Sequence, residues 1–378
     1  MKKDRFLPIV VGIVCAIALL AIPISGCQTT PAPPPVTPPP VTPPPVTPPP
    51  APAIEPPAPA PVIEKPTILI VDAQFQSEWI CNAIAEFIIQ NGYGYPTETI
   101  VLTTSVWTVS LAEGDVHIDL ELWKQNIMDW FNEETAAGRV VELGMTYEGG
   151  PQFWMIPQWV HEEHNINTVE DMKEHWELFK DPEDPSKGIF IDCMLGWMCG
   201  DINDVKMEAY GLTEYYNIIE PGAAGAMDAA LAGAQMKHEP IFGYYWAPTA
   251  LMGMYDWYIL EEPDYDEDTW AMITAAVDDA SLRPQSQACA YETLPITKGV
   301  WSGLLEMAPD VCAMLLKMVV GLEPLNRTAA WCAENEIQDY EKSGVYYLRN
   351  YEDRWKTWVT DDAYNKIKAA LDEYCPVP

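Results

Sequence analysis

The stretch Cys193-Met-Leu-Gly-Trp-Met-Cys199 holds the residue types best able to do chemistry in this chain. Two cysteines separated by five residues can close a small covalent loop in an oxidising compartment, holding Gly196, Trp197 and the following backbone N–H groups in one fixed presentation. A tryptophan face attracts a cation and free amide donors take an anion, so such a loop suits a small zwitterion. Two other readings stay open at this point. One is a Cys-x5-Cys metal site, for which no histidine lies nearby at useful spacing. The other is a pair of buried cysteines beside a core tryptophan.

Signatures of enzymatic chemistry are missing elsewhere. There is no Gly-x-Ser-x-Gly elbow and no phosphate-binding glycine loop, and Gly92-Tyr-Gly94 lacks the third glycine of a dinucleotide fingerprint. His161-Glu-Glu-His164 is one residue too short for the zinc-protease helix motif, although two histidines at that spacing can share a metal. The expectation is a protein with no catalytic residues, no cofactor and no metal. Tryptophans say more: of fifteen, Trp123, Trp197 and Trp246 stand at or next to the ends of expected strands. A single tryptophan is most often core packing, but three at equivalent topological places point to a shared site.

The elements that must position these residues read as alternating strands and helices. Thr67 to Asp72, Glu98 to Leu102, Val116 to Leu120 and Val140 to Leu143 read as strands. Helices fall at Ser77 to Gln90, stopped by Asn91-Gly92, at Val106 to Glu113 and at Lys124 to Ala137. That alternation predicts a parallel sheet with helices on both faces. After Gly149-Gly150-Pro151 a second unit begins, with strands at Phe153 to Ile156, Ile189 to Ile191, Ile241 to Trp246 and Trp257 to Leu260. Its helices are a segment to Phe179, capped by Thr168 with Asp171, and Ala223 to Met236. The run Ala290 to Ile296 is expected to lead into helices over Lys298 to Gly321, Asn326 to Asn335 and Asp361 to Glu373. Some 310 residues beyond position 65 exceed what one core usually carries. Two α/β lobes around a cleft follow, and clefts at the carboxyl ends of sheet strands are where such folds bind ligands.

The compartment is legible at the N-terminus. Lys2, Lys3 and Arg5 precede the apolar run Leu7 to Ile24, which closes on Ile24-Ser25-Gly26-Cys27. That reads as a lipoprotein signal peptide over 1–26 with Cys27 as the acylated residue; a transmembrane helix is the competing reading. From 27 to 65 the chain is dominated by Pro, Ala, Val and Thr, with Val-Thr-Pro-Pro-Pro repeated three times. No core can form there, and polyproline II at about 3.1 Å per residue makes it a tether on the order of 100 Å long. The formal charge of −35 falls almost wholly beyond it, which argues against nucleic acid or anionic lipid as a partner. Seven cysteines follow Cys27, an odd number, and spacing pairs only Cys193 with Cys199.

At this point a resemblance emerges. From about Thr67 to Trp358 the chain resembles the substrate-binding lipoproteins of ABC importers for glycine betaine, proline betaine and related quaternary amines. The residues that carry it are Ala112-Glu-Gly-Asp115 leading to Glu121-Leu-Trp123, the Cys193 to Cys199 loop followed by Glu208-Ala-Tyr-Gly211, and Tyr244-Tyr-Trp-Ala-Pro248. Val300-Trp301 and Ala308-Pro309 add to these. The resemblance implies a two-lobed type II periplasmic-binding-protein-like α/β fold with two hinge crossings, near Gly150 and near Ala290, and a central ligand cleft. Lobe I would comprise 66–150 and 291–378, and lobe II 151–290. It further implies that Trp123, Trp197 and Trp246 box an ammonium group while the N–H groups of Met198 and Cys199 hold a carboxylate. The implied partners are a small zwitterionic quaternary amine and the transmembrane subunit of an ABC permease, with the membrane reached through the lipid anchor. Some relatives have proline directly after the first cage tryptophan and histidine four residues after it; Lys124 and Ile127 stand there in this chain. With a quaternary amine bound, Lys124 is expected to point outward toward Asp129 and Glu133. The alternatives are a receptor of the same fold for another small amine, amino acid or anionic solute, a metal-dependent hydrolase built on His161 and His164, and an adhesion module raised on the stalk.

Overall fold

The computed structural model describes residues 65–374; the expected leader, Cys27, nearly all of the Pro-rich segment and Cys375 lie outside the described residues. Within them the chain lays down two five-stranded sheets in succession. The first is ordered β2-β1-β3-β10-β4, from β1 (Ile68–Asp72), β2 (Thr97–Val101), β3 (Ile118–Leu122), β4 (Val140–Gly150) and β10 (Leu294–Trp301). The second is ordered β7-β6-β8-β5-β9, from β5 (Gln152–Pro157), β6 (Gly188–Ile191), β7 (Tyr216–Ile219), β8 (Gly243–Trp246) and β9 (Trp257–Ile259).

Neither sheet is purely parallel, which corrects the sequence expectation. β1 runs parallel to β2 and β3, and β6 parallel to β7 and β8, each through helical crossovers. β10 is antiparallel to β3 and β4, and β5 is antiparallel to β8 and β9. The cause is the passage of the chain between sheets. β4 leaves the first sheet and becomes β5 of the second across Pro151, with no helix between them. β10 comes back and pairs Leu294 with Gly150, so it enters the first sheet running against its neighbours. Parallel neighbours need a long crossover, and the step from β4 to β5 has none.

A second correction concerns β10 itself. The expected helix from Lys298 is a strand to Trp301, and helices begin only at Leu304. The β-branched residues Ile296, Thr297 and Val300 favour that strand, and the buried Lys298 ammonium donates to the carbonyls of Gly144 (3.3 Å) and Met145 (2.8 Å). The first helix, Gln76–Ile88, passes into a wider turn over Ile89–Tyr93 and ends at Gly94 (φ +72°) rather than at Asn91-Gly92. Glycine is the residue that adopts this left-handed cap without strain. Helices at Glu267–Asp278 and Glu341–Asn350 escaped the sequence reading. The former was signalled by Asp266, whose side chain accepts the Thr269 N–H at 2.8 Å.

Each sheet has its own buried apolar layer. Ile68, Ile70, Ile118, Val300, Tyr347 and Trp355 are all fully buried around the first, and Trp154, Phe190, Tyr216 and Phe242 fill the second. The helix Glu341–Asn350 closes on Gln76–Ile88 at Gly344, where a Cβ would sit 2.6 Å from the Ala83 carbonyl oxygen. Backbone cannot yield cheaply there. Gly344→Ala should therefore destabilise the protein by about 1–2 kcal/mol, the overpacking cost exceeding the helix-propensity gain of up to about 1 kcal/mol. A urea unfolding midpoint that rises in this variant would contradict the close packing.

Candidate ligand-binding site

Three strand ends meet in the cleft between the sheets. β3 reads Ile-Asp-Leu-Glu-Leu, and alternation along a strand sends Ile118, Leu120 and Leu122 to one face and Asp119 and Glu121 to the other. All five are buried, so the acidic face is also covered. Trp123 follows at its end. From the second sheet, β6 runs into the Cys193–Cys199 loop, which is closed by a disulfide with a Cα–Cα separation of 6.3 Å. Trp197 precedes the helix Met198–Ala209. β8 ends on Trp246.

These elements enclose one cavity, lined by Trp123, Trp197, Met198, Cys199 and Trp246 together. All five residues expected from the sequence are thus brought to one place. The cavity measures about 60 Å3, room for on the order of four to six waters at about 10–15 Å3 each. Trp197 and Trp246 meet edge to face, with ring centroids 5.3 Å apart. Met198 and Cys199 supply the first two N–H groups of their helix, which helix geometry leaves without an intrahelical acceptor, at the positive end of the helix dipole.

The loop is fixed from the opposite side. Trp197 Nε1 donates to the Ala73 carbonyl (2.9 Å), and Thr104 N donates to the Gly196 carbonyl (3.2 Å), both across the cleft. Gly196 has φ +89°, and a Cβ there would lie 2.9 Å from Thr103 Cγ2, so conformation and close approach both require glycine. Asn126 and Gln152 add a reciprocal pair of amide hydrogen bonds at 3.1 and 2.9 Å, and Tyr244 donates to Gln152 Oε1 at 2.7 Å.

Several lining residues were not read from the sequence. The Phe75 ring is near-perpendicular to all three tryptophans, with centroids at 6.4 Å from Trp123, 5.7 Å from Trp197 and 6.2 Å from Trp246. Its only sequence signal was its place just after a strand end. Asp119, Glu121, Asn126, Gln152 and Tyr244 also line the cavity. Burial pushes the Asp119 and Glu121 carboxyls up to about 7, against the opposing hydrogen bonds that Tyr147 and Ser77 donate to Glu121. Glu78, behind them, is held well above its ordinary range by burial and by the two neighbouring carboxylates.

Lys124 is not among the lining residues. It turns away as expected, but its ion pair is with Glu142 on β4 (2.6 Å), not with Asp129 or Glu133. Side chains on a helix lean toward its N-terminus, so Lys124, in the first turn, leans away from residues further along. Ile127, at the place of the relatives' histidine, lines the cavity with an apolar side chain and breaks the helix locally (φ −136°, ψ 25°). His161 lies flat on Tyr258, ring centroids 3.6 Å apart, with Nδ1 2.8 Å from the Ile166 carbonyl oxygen. Among the described residues no cluster of three or more potential ligands could hold a metal, and no helix is long and apolar enough to cross a membrane. Cys81, Cys289, Cys312 and Cys332 are buried with no disulfide partner among the described residues.

Comparison with known proteins bears on this geometry. Residues 66–350 match the family described as OpuAC, the substrate-binding domain of ABC-type glycine betaine transport systems. Among solved structures, the glycine betaine/L-proline-binding protein ProX of Borrelia burgdorferi is similar with a TM-score of 0.62 and 18% identity, over 80% of this chain and 99% of its own. An ABC-transporter choline-binding protein in complex with choline is similar at 0.63 and 19%, over 81% and 98%. Lactococcal OpuAC, closed on glycine betaine, is similar at 0.61 and 15%, over 78% and 100%. At such identities these structures establish the shared two-lobed fold.

The disulfide closes a seven-residue loop, so chain-entropy arguments give it about 2 kcal/mol. Replacing Cys193 and Cys199 together with serine should lower global stability by no more than that. Cleavage beside Leu195, 59% exposed at the loop's tip, should accelerate in limited proteolysis. Peptide mapping of exported protein that recovers both thiols free would contradict the bond.

Proposed function

The chain belongs to the family of substrate-binding domains of ABC-type glycine betaine transport systems, and from that premise we propose that it captures a betaine-type zwitterion between Trp123, Trp197 and Trp246. Membership makes it a transport receptor, not an enzyme, working outside the cytoplasm and delivering a quaternary amine to an ABC permease. The observation that carries the proposal is the convergence of three indoles and a helix N-terminus on one small cavity. A methylated ammonium has no N–H to donate, so aromatic faces and shape must select it. The unpaired N–H groups of Met198 and Cys199 suit a carboxylate. Glycine betaine has both groups one carbon apart.

The lobe boundaries belong to the same reading: 66–150 with 291–378, and 151–290. The passage at Pro151 and the Leu294–Gly150 pairing support them. The lipid anchor is part of the same proposal, with Cys27 as the acylated residue and 27–65 as the Pro-rich tether. Cys27→Ser should then turn a membrane-bound protein into a released one with unchanged ligand affinity. Retention of that variant in the membrane fraction would favour a transmembrane Leu7 to Ile24 instead.

Titration of the full chain with glycine betaine tests the cage. A desolvated cation–π contact is worth about 2 kcal/mol, so Trp123→Ala, Trp197→Ala and Trp246→Ala should each weaken binding by about 1–3 kcal/mol, roughly tenfold or more, with folding retained. Lys124→Ala should change affinity less than threefold, because its charge is spent on Glu142. Normal binding by two of the three tryptophan variants would sink the cage, and loss of binding in the lysine variant would favour an anionic or amino-acid solute.

A further inference from the structure

The cavity has an unexplained charge. Asp119 and Glu121 line it, at 1% and 3% exposure, and Glu78 lies fully buried behind them. Among the described residues none of the three forms an ion pair. Asp119 Oδ1 accepts the Glu121 N–H at 2.7 Å, and Glu121 Oε2 accepts from Ser77 (3.0 Å) and Tyr147 (2.6 Å). Glu121 Oε1 and Glu78 Oε1 are buried with no partner at ordinary hydrogen-bond distance, and the Cys81 thiol, a weak donor, is the remaining group against the Glu121 carboxyl. An ionised carboxylate out of water costs several kcal/mol unless a cation or donors compensate it. Aromatic faces explain an ammonium site by themselves, but they do not explain a strand that aims two acids into it.

Resting on the functional reading above, we infer that Asp119 and Glu121 supply the counter-charge to the ligand's ammonium and so determine specificity for a positively charged head over a neutral one of the same shape. The ligand's positive end then faces β3 and its negative end the N-terminus of Met198–Ala209. The two ends of the cavity carry opposite charge, and a short zwitterion bridges them.

Binding and protonation are linked. The groups facing the pair are Glu78, Ser77 and Cys81 from the helix Gln76–Ile88, Asp72 from β1 behind Glu78, and Tyr147 from β4. Lys298 on β10 donates its hydrogen bonds to the carbonyls of Gly144 and Met145, and Asp192 is buried on the far side of the cleft beside Tyr244. With both acids pushed up to about 7 by burial, the ligand-free site holds protons near neutrality. A cation favours the ionised form and expels them. Affinity for a charged head therefore rises with pH through about 7. The sign for stability is opposite: a carboxyl raised on folding supports the ligand-free fold only where it stays protonated, and that support is lost as pH rises toward the folded value.

The test is calorimetric titration of the full chain and of Glu121→Gln and Asp119→Asn at about pH 8. The probes are trimethylglycine and 3,3-dimethylbutanoate, which replaces the charged head by a neutral one of equal shape. Each variant should bind trimethylglycine at least tenfold more weakly and dimethylbutanoate as well as before or better, and melt at a higher temperature without ligand. A merely structural role would weaken both ligands together and lower the melting temperature, which overturns the inference. Should a variant fail to fold, the unaltered chain decides: its affinity for trimethylglycine should fall severalfold from about pH 8 to about pH 6, and that for dimethylbutanoate should not. Equal pH profiles reject the counter-charge while leaving the transport receptor intact. No binding of any quaternary amine by the unaltered chain would remove both.

Discussion

The hydrogen bond from the Trp197 indole to the Ala73 carbonyl joins the two sheets at the cavity, and the arrangement of the site depends on what it ties together. One partner stands on a disulfide-closed loop leading into a helix, the other on the turn leaving β1. The bond uses the one polar atom of this indole, so the ring can lie against the cavity without leaving a buried donor unpaired. It also sets the distance between the Met198 and Cys199 N–H groups and the opposite wall. Thr104 and Gly196 repeat the tie on the backbone, which is why Gly196 tolerates no side chain.

Opposite polarity at the two walls follows from ordinary secondary structure. A helix that begins at the cleft presents unpaired N–H groups, and a strand that ends there presents every second side chain. In β3 those side chains are Asp119 and Glu121. Neither sheet needs unusual geometry to create the field. It needs only that one element starts at the cleft while another stops there, and the β4 to β5 passage with its return through β10 enforces that arrangement.

Much of this was legible in the residues. Alternating strand and helix patterns gave two α/β units, and the spacing of Cys193 and Cys199 gave the loop. Trp123, Trp197 and Trp246 were recognisable by their places at strand ends. What stayed hidden was what depends on long-range pairing. Nothing local in Lys298 to Trp301 says that it pairs with Val140 and its neighbours, so a strand with one buried lysine read as the start of a helix. Lys124 found Glu142 because β4 lies beside the first turn, a neighbour separated by eighteen positions. The place of the acids of β3 in the cavity also stayed hidden, since burial on both faces is a property of the sheet's surroundings and not of the five residues.

The turn from Ala73 to Glu78 shows how such hidden contacts combine. Ala73 accepts the Trp197 indole and gives its own N–H to Glu78, Ser77 donates to Glu121, and Phe75 stands among the tryptophans. Aromatic edges are positive and faces negative, so three near-perpendicular contacts are electrostatically matched without any ligand. Phe75 therefore holds the indoles apart, and their faces need not collapse on one another when the cavity is empty. A cation entering beside it finds the indoles already placed, and less side-chain ordering remains to be supplied by binding. One turn of six residues thus sets the spacing of the cage and, through Ser77, places the acid beneath it.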